Sequence, residues 1–124
     1  MNGGPVEIIS IIGPTASGKT IFSVELARAL GGEVVSVDSR QVYRSMDIGT
    51  DKISPEIRRE IPHHLIDVAD PDETFSAADF AGKAASAVRA ILERGKTPIL
   101  AGGTPFYFKA FYTQLFNIRI LNFI

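Results

Sequence analysis

The 124 residues contain no cysteine and no tryptophan, only two histidines and two methionines, and no segment approaching the ~20 apolar residues needed to cross a bilayer. The lack of cysteine excludes disulfides and thiolate metal sites and suits a reducing compartment. The lack of a long apolar run, together with a start (Met1, Asn2, Gly3, Gly4, Pro5) that has no basic region ahead of an apolar stretch, leads to the expectation of a cytoplasmic protein without a membrane partner. Excess charge of either sign is missing too. Thirteen basic residues against fourteen acidic ones give a formal net charge of −1, so any contact with nucleic acid has to come from local chemistry. There is no internal repeat and no low-complexity segment.

What is present is the composition of a globular domain, 45% hydrophobic and 22% charged. Short apolar, β-branched runs at Val6 to Ile12, Glu33 to Val37, His64 to Val68 and Thr97 to Ala101 read as strands covered on both faces. Helical patterns lie between them, so the expected fold class is α/β, a parallel sheet with crossover helices. Phe22, Leu26, Ala29 and Leu30 recur at helical spacing before Gly31 and Gly32, and the pattern Phe80, Ala84, Ala87, Val88, Ile91 follows a capping serine, Ser76, with Asp79 three residues on. Ser39 to Pro62 is polar and long for a simple connection, with one helical turn at Pro55 to Glu60, and such loops are more often functional than decorative. The apolar run from Phe116 to Ile124 has no visible partner, so one incomplete domain spanning residues 1–124 is expected.

Gly13, Pro14, Thr15, Ala16, Ser17, Gly18, Lys19 and Thr20 complete the pattern G-x-x-x-x-G-K-[ST] between the first strand and the first helix. Its glycines let backbone N–H groups turn inward around an anion, and the helix that follows aims its partial positive end at the same point. Lys19 adds a point charge, and the Thr20 hydroxyl can hold Mg²⁺. An ordinary glycine turn with a surface lysine is the bland alternative. Ligands of open parallel sheets bind outside the carboxyl ends of the strands, where Gly13, Asp38, Asp70 and Gly102 emerge. Asp38 can serve chemistry beside the anion or merely cap the next turn. Ser39, Arg40, Gln41 and Tyr43 offer a hydroxyl, a guanidinium, an amide and an aromatic face, a mixture able to pair with a base edge and stack on it. Gly102, Gly103 and Thr104 permit close backbone approach and a hydroxyl donor, or form a plain turn with a capping threonine.

His63 and His64 are poor metal ligands as a pair, since adjacent strand residues point to opposite faces. Asp70, Asp72 and Glu73 read as a solvated acidic turn around Pro71. Lys52, Arg58 and Arg59 form a small basic cluster, best described as a solvated helix face.

Taken together, Gly13 to Thr20, Val37-Asp38-Ser39-Arg40-Gln41-Val42-Tyr43-Arg44, Met46 to Thr50, Pro62-His63-His64-Leu65-Ile66-Asp67, Phe75 to Phe80 and Pro98 to Thr104 closely resemble the amino-terminal part of the bacterial tRNA dimethylallyltransferase family, from about Ile8 to about Ala110. The resemblance implies a P-loop NTPase-like sheet with flanking helices, and transfer of a dimethylallyl group from dimethylallyl diphosphate to N6 of the adenosine beside the tRNA anticodon. It further implies a diphosphate cradle from Gly13 to Thr20, Mg²⁺ as cofactor at Thr20, and Asp38 as the base that accepts the N6 proton. Asp38, Ser39, Arg40 and Gln41 would meet the tRNA, and Thr104 would hydrogen-bond the oxygen joining prenyl carbon to diphosphate. A monomer is expected. Two departures stand out: Pro105 replaces the glycine that usually follows Gly103-Thr104, and residues 111–124 drift from the family pattern, so the tRNA-clasping region downstream is expected to be missing. Adenylate isopentenyltransferases and small-molecule P-loop kinases, which bind ATP, are the alternatives; the His63-His64 block favours the tRNA enzyme.

Overall fold

The computed structural model describes residues 6–13, 19–44, 53–114 and 118–123. The loop residues Pro14, Thr15, Ala16, Ser17 and Gly18 lie outside the described residues, as does Lys52; Lys19 and Thr20 are described only as the start of a helix. In chain order the elements are β1 (Val6–Ile12), α1 (Lys19–Leu30), β2 (Gly32–Ser36), α2 (Pro55–Glu60), β3 (His63–His64), α3 (Ala77–Glu93), β4 (Thr97–Gly102), α4 (Pro105–Tyr112) and β5 (Ile118–Phe123). They form one five-stranded sheet of order β3-β2-β4-β1-β5 with every neighbouring pair parallel.

Side chains alternate across the sheet and fill two cores. Ile8, Val35, Val37 and Leu100 pack with α3 and α4 through Phe80, Ala84, Val88, Ile91, Phe108 and Phe111. Ile9, Ile11, Val34 and Ile99 pack on the other face with Val24 and Ala27 of α1 and with Ile61. Burial on both faces is why these strands are continuously apolar. Local signals set the helix ends. At α3 the Ser76 hydroxyl accepts from Asp79 N at 3.0 Å while the Asp79 carboxylate accepts from Ser76 N at 2.9 Å, a reciprocal cap. Gly31 (φ 65°) and Gly95 (φ 75°) follow α1 and α3 in the left-handed conformation that glycine tolerates.

Three expectations change. The apolar run from His64 to Val68 is not strand throughout: the ladder holds only His63 and His64, opposite Val34 and Val35. Leu65 (φ 69°) and Asp67 (φ 60°) then turn the chain, and Asp67 N, Val68 N and Ala69 N bond to the carbonyls of Gln41 and Val42 at 3.0, 2.8 and 2.9 Å. Second, the terminal apolar run has a partner: β5 pairs with β1 from Val6↔Ile118 to Ile11↔Phe123. Third, α1 turns Ser23, Val24 and Ala27 inward, leaving Phe22 43% and Leu30 47% exposed.

Candidate active site at the carboxyl edge of the sheet

The chain leaves β2, β4 and β1 at one edge, and backbone bonds bind the three exits together. Val37 N donates to Ala101 O (2.9 Å), Gly13 N to Gly102 O (3.1 Å) and Thr104 N to Val37 O (3.3 Å). Gly13 is thus attached to the end of β4, and Thr104, two residues beyond β4, to the residue before Asp38. A β-carbon on Gly102 would fall 2.0 Å from Val37 O, so no other residue fits this approach without displacing backbone.

Asp38 is only 6% exposed, and its Oδ1 accepts from Arg40 N at 2.8 Å and Gln41 N at 3.3 Å. The carboxylate therefore organises the turn that follows it, which fixes its position at the site. Thr104 stands at the N-cap of α4 without capping it through its side chain. Instead its hydroxyl accepts from Ser39 N at 3.0 Å and reaches Ser39 Oγ at 3.4 Å. This bond, across 65 residues of sequence, joins the Asp38-Ser39 turn to the Gly102-Gly103-Thr104 turn. Pro105 occupies the first turn of α4, where its missing N–H would have no intrahelical partner and its fixed φ suits the helix.

Behind the site, Tyr107 stacks on Phe80 (centroids 4.5 Å apart, planes at 16°) and its hydroxyl donates to Phe75 O at 3.4 Å. Burial pushes the Tyr107 phenol up, and the charges of Tyr43, Asp38 and Asp79 add to the shift, so Tyr107 senses Asp38. No spacing in the sequence singles it out. Of the side chains expected to face RNA, Arg40 is exposed and Ser39 half-buried. Gln41 is 8% exposed, and its Oε1 accepts from Ser36 Oγ at 2.9 Å, so it braces the turn from within.

The family model described as IPP transferase matches residues 41–120. The chain belongs to the IPP transferase family. Over 103 residues it is 55% identical to the tRNA dimethylallyltransferase of Halorhodospira halophila, covering 83% of this chain and 33% of that protein. The crystal structure of the full-length tRNA isopentenylpyrophosphate transferase from Bacillus halodurans superimposes with a TM-score of 0.82 at 53% identity, over 88% of this chain and 36% of that one. A eukaryotic dimethylallyltransferase acting on tRNA gives 0.81 at 38% identity, over 92% and 27%. The chain thus spans about a third of the length of the curated relatives it matches.

Outside the carboxyl edge, the chain engages its two histidines separately. His63 Nδ1 donates to Ile61 O at 2.8 Å, and burial, helped by the charges of Arg58 and His64, pushes the imidazole below its ordinary value despite that bond. His64 Nε2 lies 2.8 Å from Glu33 Oε1, and Arg94 Nε donates to Glu33 Oε2 at 3.0 Å. Burial alone would raise Glu33, but the bonds from Arg94 and then His64 outweigh it and hold the carboxyl low. The Asp70-to-Glu73 turn closes on itself, with Glu73 N donating to Asp70 O at 2.9 Å and Glu73 Oε1 accepting from Asp70 N at 2.6 Å. Arg58 and Arg59 lie on α2 near Asp67 (3.8 Å) and Glu56 (3.9 Å). Among the described residues no helix is long and apolar enough to cross a membrane.

Proposed function

We propose that this chain binds dimethylallyl diphosphate and carries the residues that transfer its prenyl group to N6 of the adenosine beside a tRNA anticodon. The observation that supports the reading most strongly is the Ser39–Thr104 bond, which holds Asp38 and Thr104 in one cluster whose backbone is tied to Gly13.

The adenine amino group is a weak nucleophile because its lone pair is delocalised into the ring. A carboxylate placed to take its proton as the N6–carbon bond forms assists the attack. Asp38 fills that role, with two backbone N–H groups fixing its Oδ1. As the new bond forms, the bond from prenyl carbon to diphosphate oxygen breaks and the electron pair leaves with the diphosphate. The loop from Gly13 to Thr20 spreads that charge over N–H groups and Lys19. Thr104 approaches Ser39 Oγ at a long 3.4 Å, and the bridging oxygen of the diphosphate would be the stronger acceptor for its hydroxyl. Mg²⁺ suits a donor set of phosphate oxygens and the Thr20 hydroxyl, and when bound it neutralises leaving-group charge. Ser39 and Arg40 face the acceptor RNA, whose target base must leave its stack to reach Asp38. The working compartment on this reading is the cytoplasm.

In a chain competent for transfer, Asp38→Asn keeps the hydrogen bonds of the turn but cannot take the proton. Single-turnover prenylation should fall by about 10²–10⁴-fold, with dimethylallyl diphosphate affinity little changed. A near-normal rate would reduce Asp38 to a turn-capping residue.

A further inference from the structure

α4 carries five aromatic side chains; Tyr107, Phe108 and Phe111 are buried in the core beneath it, and Tyr112 packs half-buried against that core. Phe106 is the exception. At 69% exposure it is the most open large apolar side chain of the described residues. Three residues on, Lys109 is exposed as well, and helical geometry sets the two side chains side by side on the outward face. This face begins two residues from Thr104, whose bond to Ser39 N fixes the first turn of α4 beside the exposed Arg40.

From this juxtaposition we infer that Phe106 and Lys109 extend the RNA-facing surface beyond Arg40, with Phe106 stacking on an unpaired base next to the reacting adenosine and Lys109 meeting a phosphate. The inference rests on the proposed tRNA reading and adds two residues to it. The chemistry favours single-stranded RNA over a protein or a membrane. One ring flanked by a cation offers a π-face for a base and a charge for the backbone, the combination that binds unpaired strands. An apolar docking patch would need further large apolar side chains on the same face, and the exposed positions around Phe106 are Gly103, Pro105 and Lys109. The chain's near-neutral net charge gives no general attraction to RNA, so local groups of this kind have to supply it.

The test is a fluorescence anisotropy titration of a labelled RNA hairpin, with adenosines in its loop, against the unaltered chain and three variants checked for fold by circular dichroism. Phe106→Tyr keeps the stacking face and should bind within about twofold of the unaltered chain, whereas Phe106→Leu keeps apolar bulk without a π-face and should bind roughly 5- to 100-fold more weakly. Lys109→Gln should lower the slope of log affinity against log salt by about 0.7, the loss of one phosphate contact to a single strand. Equal binding by the unaltered chain and the Leu variant would overturn the stacking role while leaving the tRNA reading standing. No binding of the hairpin by the unaltered chain would remove both.

Discussion

A β-carbon on Gly102 would sit 2.0 Å from the Val37 carbonyl oxygen and 2.4 Å from its carbon, both backbone atoms that cannot turn aside. Gly102→Ala therefore has to separate β4 from the exit of β2, and with it the Thr104 N to Val37 O and Gly13 N to Gly102 O bonds. Overpacking of this kind costs about 1–3 kcal/mol, and urea denaturation of the variant should show a loss at the upper end of that range. Unchanged stability would mean that the exits of β2 and β4 can part freely. The placement of Asp38 and Thr104 at the carboxyl edge was legible in the sequence, because both follow apolar runs that form strands of a parallel sheet. Their mutual arrangement was not. The Ser39–Thr104 bond spans 65 residues, and the inward turn of Gln41 depends on Ser36, whose hydroxyl is buried only once the sheet has formed.

Among the elements, those specified by near neighbours were readable and those specified by distant ones were not. α3 has its reciprocal Ser76–Asp79 cap, its apolar period and Gly95 all within its own span, and its limits follow from them. Ser76→Ala should cost about 1 kcal/mol in denaturant unfolding, the usual worth of an N-cap hydroxyl. No change would show that Asp79 alone holds the first turn. β3 ends early because the segment after His64 takes its hydrogen bonds from Gln41 and Val42 rather than from β2, which no local pattern announces. α1 misleads for another reason. Its large apolar residues, Phe22 and Leu30, dominate its period, but the sheet accepts the smaller Ser23, Val24 and Ala27, which let the helix approach closely. β5 looked unpartnered because β1, to which it pairs, lies at the opposite end of the chain.

For the whole molecule, the Glu33–His64–Arg94 cluster links the starts of β2 and β4 to β3 at the edge of the sheet away from the site. Arg94 and His64 keep access to water, so Glu33→Gln should cost about 1–3 kcal/mol, the worth of hydrogen bonds to a charged group, rather than the larger loss of a fully buried pair. Acid adds a second signature. Glu33 and His63 both have folded values below their unfolded ones, so in acid the unfolded chain binds more protons and stability falls with pH. The His63 loss begins as pH drops through about 6.5, where the unfolded imidazole protonates and the buried one does not. The Glu33 contribution is complete above about 4.3 and is lost as pH falls through its lower folded value. The urea midpoint should therefore decline in two steps, with the upper one absent in His63→Gln; a single step near the carboxylate range would contradict the burial of His63. The most direct measurement of the central claim is parallel calorimetric titration of the chain with dimethylallyl diphosphate and with ATP, Mg²⁺ present. The prenyl diphosphate should bind more tightly, and Lys19→Ala should remove most of that binding, because the lysine gives the Gly13-to-Thr20 segment its only full positive charge. Tighter binding of ATP would contradict the claim and point to a phosphate-transferring enzyme instead.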